Sequence, residues 1–316
     1  MKDDVAIAYA IKAGAAWGGF SNAPVMIRNR ENVVLKAQLV SGQNVAVRLH
    51  RVGYQTTASI QSELVWTQAM AQAGFPCPRP IETLEGELVW QSDGPVVSVI
   101  SWLDADCVGE MDQVFAGIES DHCDLYQKIG GLIAQMHTTT DALNLPAQPR
   151  PEWSADGLLG EAPWWGRFWE NPSLSVDESL LLQSKRKECA VFLQEQSKAD
   201  YGLIHADLLQ ENILQNDIGL WIIDFDDAGY GYRLFDLGTA LIQHSECAYL
   251  DSLRKALIEG YSAKRGCLVS DFDVQVFTLL RAFASTGWIM SRADANDPRQ
   301  RFYSNRALNL AQRVKF

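Results

Sequence analysis

Along the N-terminal third, β-branched residues come in short runs separated by turn formers. Val33 to Val40 and Val45 to His50 are two such runs, and Ser41-Gly42-Gln43-Asn44 between them predicts a hairpin with glycine in its turn. Thr57 to Ala73 reads as a helix; Gly74 ends it, and Pro76, Pro78 and Pro80 forbid its continuation. A second hairpin follows, with strands Glu87 to Ser92 and Val96 to Trp102 about an Asp93-Gly94 turn. Two hairpins with a helix between them predict a sheet covered on one face. Beyond Trp102 the period changes. Leu125, Ile129, Leu132, Ile133 and Met136 recur at three- and four-residue spacing, the core-facing stripe of a helix. Further helices are predicted over Glu178 to Gln196, Tyr249 to Tyr261, Asp273 to Arg292 and Asn305 to Val314. Trp153 to Pro172, with its APWWGRFWENP run, is irregular and Trp-rich. The chain therefore reads as α+β, β-rich over residues 1–101 and mainly helical over 102–316, with the boundary near Ser101 to Ala105.

One segment carries the chemistry. From Leu203 to Leu237 the chain reads LIHADLLQENILQNDIGLWIIDFDDAGYGYRLFDL, which holds His205, Asp207, Asn212 and Asp224 in that order. Transfer of the terminal phosphoryl group of a nucleotide needs one carboxylate to orient the attacking hydroxyl. It also needs a neutral amide and a second carboxylate to hold divalent metal against the phosphates. Asp207 and Asn212 are close enough for one loop to present both. Between Asn212 and Asp224 there is room for a strand from Asn212 to Leu214, a turn at Gln215 to Gly219, and a return strand ending at Asp224. The two metal ligands would then face each other across a hairpin. A polar surface loop with Asp and Asn as turn formers would account for His205, Asp207 and Asn212 alone. The apolar strand that delivers Asp224 favours phosphotransfer.

These residues resemble the aminoglycoside phosphotransferase and choline kinase superfamily, which includes homoserine kinase type II and the bacterial stress-response kinases. The likeness runs from Asn29 to Arg292 and is sharpest in HADLLQEN and IIDFDDAGYG-x4-DLG. It implies a protein-kinase-like fold with a small β-rich N-lobe and a larger helical C-lobe, working with ATP and Mg2+. It also implies that Asp207 is the catalytic base, that Asn212 and Asp224 bind magnesium, and that Asp236 braces the catalytic loop. His205 would support that loop through a ring hydrogen bond to backbone; a general-base or metal-ligand role is its alternative. The boundary near Ser101 becomes a hinge over which the nucleotide base lies, with Ile100 and Trp102 beside it.

Departures from the family pattern shape the remaining assignments. Where relatives carry a phosphate-pairing lysine, the strand Val45 to His50 offers Arg48, and Glu63 on the following helix is its expected partner. Strand alternation sends Val45, Val47 and Leu49 one way and Ala46, Arg48 and His50 the other; an exposed strand-edge charge is the plainer reading of Arg48. No G-x-G-x-x-G is present. Gly18-Gly19-Phe20-Ser21-Asn22 and Asn29-Arg30-Glu31-Asn32 stand in its place. The second resembles the superfamily's Asn-rich first turn and assigns Asn32 to the nucleotide, although turn chemistry explains any one of these asparagines equally well. Asp226 is either a ligand of a second metal or a solvated loop carboxylate. Leu209 stands where relatives often carry a basic residue, which leaves the developing phosphoryl charge to metal and Arg48.

Composition narrows the partners. The chain has 316 residues, 47% of them apolar, with a net charge of −12 and a pI near 4.9. It can bury a large core, and without a basic face no nucleic-acid partner is expected. Its cysteines have neither C-x-x-C nor metal-site spacing and read as thiols of a reducing cytoplasm. No apolar run is long enough for a membrane span, and no signal peptide is expected. The expected activity is transfer of the γ-phosphoryl group of ATP to a hydroxyl of a small molecule, in a pocket built by residues 105–200 and the C-terminal helices. Glu211 and Asp227 would suit an amine-bearing acceptor: an amino alcohol, a homoserine-like compound or an aminoglycoside. Two other readings stay open. One is a protein Ser/Thr kinase of the stress-response type. The other is a nucleotide-binding pseudokinase or scaffold, suggested by Arg48 and Leu209 and opposed by Asp207, Asn212 and Asp224. Trp164, Trp165 and Trp169 either wall a substrate cleft or belong to the core.

Overall fold

The computed structural model describes residues 1–29, 32–110, 117–145, 149–195 and 200–316. Arg30 and Glu31 of the Asn-rich turn, and the expected helix end at Gln196, lie outside the described residues. The chain divides into two units. The smaller takes in Met1–Asp106, Leu143–Pro149 and Gln215–Asp226; the larger takes in Cys107–Ala142, Arg150–Leu214 and Asp227–Phe316.

The smaller unit is built on an antiparallel sheet in the order β1-β2-β3-β5-β4, with β1 Val25–Asn29, β2 Val33–Gln38, β3 Asn44–Leu49, β4 Val89–Trp90 and β5 Val97–Ser101. Both predicted hairpins form, with β2, β4 and β5 shorter than expected. β2 stops at Gln38 because the chain is already turning at Leu39, whose carbonyl accepts from Gly42 N at 2.8 Å. The predicted single cover of the sheet is a double one. Helix α1 (Asp3–Gly14), which the sequence pattern did not mark, buries Ala6, Ala10 and Ala13 against Val45, Val47, Leu49, Val97 and Val99. Alanines leave a weak apolar stripe, so the helix is silent in a periodicity reading. Helix α2 (Thr57–Gln72) sets Ile60 and Leu64 with Val96 and Ile100 on the alternate face, and Thr56 caps it by accepting from Ser59 N.

The segment 215–226 joins this unit through its own contacts. Asn216 N closes a turn onto Gly219 O at 3.1 Å, the strand Leu220–Ile222 is fastened by Ile222 N to Pro76 O at 3.0 Å, and Phe225 packs edge-on against Trp66. The flanking strands run over Ile213–Gln215 and Leu220–Ile222, so the return strand ends before Asp224.

The larger unit contains α3 (Glu119–Ala142), α4 (Ala155–Leu159), α5 (Val176–Glu195), α6 (Leu234–Leu241), α7 (Leu250–Arg265), α8 (Asp271–Trp288) and α9 (Pro298–Arg313). A small sheet joins β6 (Glu152–Trp153), β7 (Tyr201–Ile204) and β8 (Gly229–Tyr232), with β8 parallel to β6 and antiparallel to β7. Helix α9 starts earlier than the apolar pattern indicated, because Asp297 caps it and Pro298 opens its first turn. Trp153, Phe168, Trp169, Phe235, Phe277 and Phe283 form the aromatic centre of the core, with Phe168 and Phe283 stacked at 4.1 Å. Of the three tryptophans left open above, Trp169 is buried in this core, Trp165 packs on its edge, and Trp164 is 46% exposed. Among the described residues, no helix is long and apolar enough to cross a membrane.

Candidate active site

In the larger unit, β7 delivers His205 and the backbone then bends sharply. Ala206 sits at φ 67°, a left-handed conformation that residues with a Cβ rarely adopt. Asp236 on α6 holds the bend: its Oδ1 accepts from Ala206 N at 2.7 Å and its Oδ2 from His205 N at 3.0 Å. His137 Nε2 donates to the same carboxylate at 2.9 Å, and its Nδ1 accepts from the Tyr261 hydroxyl, also at 2.9 Å. Burial lowers the pKa of His137 and favours this neutral tautomer. Burial also opposes charge on Asp236, but the bonds from His137 and His205 outweigh it and hold the carboxyl below its ordinary range. The His205 ring is fully buried, and its Nδ1 accepts from Asp207 N at 3.2 Å. Sequence reasoning missed His137 and Tyr261, which stand on helices far along the chain from the motif.

The loop presents Asp207 with its carboxylate held from two sides. Asn212 Nδ2 donates to Oδ2 at 3.1 Å and to the Asp207 carbonyl at 2.8 Å. With its nitrogen so engaged, Asn212 keeps its amide oxygen for another partner, the kind of hard donor Mg2+ takes. On the other side, Arg281 Nη2 on α8 donates to Asp207 Oδ1 at 2.8 Å. Leu209 is apolar, but a guanidinium arrives from a helix 74 residues downstream. Glu211 accepts from Gln243 Nε2 at 2.8 Å.

In the smaller unit, Arg48 is 5% exposed, which removes the strand-edge reading. Its Nη1 donates to Glu63 Oε1 at 2.6 Å and its Nη2 to Asp224 Oδ1 at 3.0 Å, with Asp226 Oδ1 at 4.0 Å. Burial alone would lower the pKa of this guanidinium; Glu63, Asp224 and Asp226 together raise it above its ordinary value. Asp224 sits at φ 64°, with its side chain 42% exposed. One of its oxygens is on Arg48, and an accessible carboxylate suits a hard cation. Asp226 is buried, contrary to the solvated-loop alternative. Burial and the neighbouring Glu63 and Asp224 push its carboxyl up, against Arg48 and Asn32.

Asn32 is engaged at both ends, its Nδ2 donating to Asp226 Oδ2 at 3.2 Å and its Oδ1 accepting from Arg51 N at 2.9 Å. His50 lies in the same group and pairs with Ser98 Oγ at 2.9 Å; burial and Arg48 hold it well below the usual histidine range. Ile100 packs with the α2 cluster. The Trp102 ring carries Lys36 Nζ at 4.3 Å, and its Nε1 donates to Asp104 at 2.7 Å.

A sequence profile of the phosphotransferase enzyme family matches residues 28–269. The homoserine kinase of Agrobacterium fabrum (strain C58 / ATCC 33970) is 26% identical over 233 residues, covering 71% of this chain and 66% of that protein. The homoserine kinase of Bartonella tribocorum is 27% identical over 232 residues, with the same coverage of 71% and 66%. The chain thus spans just under two thirds of the length of these curated relatives. Among solved structures, a microcompartment-associated aminopropanol kinase matches with a TM-score of 0.82 at 24% identity, over 97% of each chain. An amicoumacin kinase in complex with AMP-PNP and Ca2+ matches with a TM-score of 0.75 at 17% identity, over 99% of this chain and 94% of its own. The α+β, kinase-like fold is shared with both.

Proposed function

The chain belongs to the phosphotransferase enzyme family, and on that premise we propose that it moves the γ-phosphoryl group of ATP to a hydroxyl of a small molecule, with Mg2+. The observation that carries this reading is Asp207, a carboxylate held by Asn212 and Arg281 at the end of a loop braced by Asp236. Such a fixed group can orient an acceptor hydroxyl and take its proton as the oxygen bonds to phosphorus and ADP departs. Asn212 and Asp224 would be the residues to offer oxygen to Mg2+, which when bound would supply positive charge against the phosphates. Arg48, fixed by Glu63, is the cation for the phosphates, with Asn32 and Asp226 arranged behind it. Ile100 and Trp102 are the residues suited to the base.

An amine-bearing acceptor is supported from two directions. Glu211 lies four residues beyond Asp207 and carries a carboxylate. Two of the similar proteins are named for homoserine and aminopropanol, each of which carries an amine and a hydroxyl. These names also favour a small acceptor over a protein one. The cysteines are all free, which supports a reducing cytoplasm. The test is ADP release with Mg-ATP over a panel of L-homoserine, 1-amino-2-propanol, choline and an aminoglycoside. Turnover is expected with at least one amine-bearing alcohol. Silence across the panel, together with phosphorylation of a protein substrate, would overturn the reading.

A further inference from the structure

Arg281 has no part in the motifs that identify the family, yet its guanidinium is one of two groups that hold the Asp207 carboxylate. It is itself built in: 4% exposed, with Nη1 on Ser285 Oγ one helical turn away and its guanidinium carbon 4.9 Å from the Trp165 ring centre. A buried, stacked guanidinium is stiff, because burial, the cation–π contact and the intrahelical bond each remove a rotamer. Burying a charge this deeply requires a partner, and Arg281 pairs with Asp207 at 2.8 Å.

We propose that Arg281 is a positioning residue for Asp207, fixing the plane of the carboxylate so that it meets the acceptor hydroxyl. Asn212 Nδ2 engages Oδ2 and Arg281 Nη2 engages Oδ1, so rotation about the Cβ–Cγ bond is blocked from both ends. Each carboxylate oxygen retains lone-pair capacity for the acceptor's proton. Without Arg281 the carboxylate would keep only Asn212 and turn freely about that contact. Misplacing a reacting group by a fraction of its productive geometry acts on the rate of the bound complex more than on substrate affinity.

This inference rests on the proposed phosphoryl transfer, so its test has one arm with turnover and one without. Arg281→Met keeps an apolar stem against Trp165, and Arg281→Lys keeps the charge without the fork. With L-homoserine or 1-amino-2-propanol as acceptor, Arg281→Met should lower kcat by roughly ten- to a hundredfold while the KM for ATP changes less than about twofold. Arg281→Lys should recover part of the loss. Independently of turnover, carbodiimide labelling of Asp207, read by peptide mass spectrometry, should quicken several-fold in Arg281→Met, while labelling of the exposed Asp251 stays constant. An unchanged kcat, an equal fall in kcat for Lys and Met alongside a raised KM for ATP, or unchanged Asp207 labelling would each overturn the positioning role. A wild-type protein that turns over neither acceptor would instead count against the proposed substrate class, and the labelling would still decide the role of Arg281.

Discussion

At the scale of single residues, Arg48 holds two carboxylates with one rigid group. Its planar fork reaches Glu63 with one nitrogen and Asp224 with the other, whereas an ammonium is a point charge on a flexible stem. Glu63 is 2% exposed, so removing its cation leaves a buried charge without compensation. Arg48→Ala should therefore destabilise the fold by roughly 3–5 kcal/mol, measured by urea unfolding, and Arg48→Lys by clearly less. Equal losses in the two variants would mean that the fork, rather than the charge, is what Glu63 requires. Asp207 makes a different expectation. Asp207→Asn keeps the shape but turns one of the two accepting oxygens into a donor and removes the proton acceptor, so turnover should fall by roughly two to four powers of ten with ATP affinity nearly intact. Loss of ATP binding in that variant would reassign Asp207 to metal coordination.

At the scale of elements, α3 and α7 cross at glycines. A Cβ on Gly260 would lie 1.8 Å from Gln127 O, and one on Gly130 would lie 2.1 Å from Leu257 O; backbone atoms cannot step aside. Gly260→Ala should cost about 1–3 kcal/mol as the helices are pushed apart. Gly131, one position along, would meet nothing closer than Gly260 O at 3.8 Å. Gly131→Ala should thus be neutral or gain about 0.5–1 kcal/mol, since glycine weakens a helix interior. The crossing matters for function because His137 on α3 and Tyr261 on α7 bond to each other, and His137 bonds to Asp236. Gly260→Ala should consequently lower activity even at temperatures where the protein stays folded. Full activity in a folded Gly260→Ala protein would show that the bracing tolerates the displacement.

At the scale of the whole molecule, the net charge of −12 opposes the approach of a polyanion such as ATP unless a counter-ion travels with it. Arg48 and Arg281 are paired with carboxylates, so the charge Arg48 can offer the phosphates is partly offset. Nucleotide binding should therefore depend on magnesium. Mg-ATP at about a hundred times its dissociation constant should stabilise the fold by roughly 2.7 kcal/mol in a thermal melt, and ATP with chelator should shift it far less. Equal shifts in the two conditions would remove Asn212 and Asp224 from metal binding.

How much of this was legible beforehand depended on distance along the chain. The strand alternation that separates Arg48 from Val47, the helical stripe from Leu125 to Met136, and the spacing of Asp207, Asn212 and Asp224 are local patterns. Backbone periodicity dictates the first two and the chemistry of phosphoryl transfer singles out the third, so the sequence by itself determined most element types, the α+β class and the residues of the motif. Tertiary structure decided the rest. Helix α1 buries alanines, whose small side chains leave almost no apolar period, and so the second cover of the sheet was invisible. The pairing of Arg281 with Asp207 and the chain from Tyr261 through His137 to Asp236 join positions on separate elements, and Arg281, His137 and Tyr261 each look locally like ordinary helix residues. Burial of Asp226 was equally hidden, because an acidic residue in a turn normally stays in water. These partners are chosen by which helices pack together and how closely, and that choice is made by the folded chain, where a guanidinium taken out of water must find a carboxylate however far away it lies in sequence.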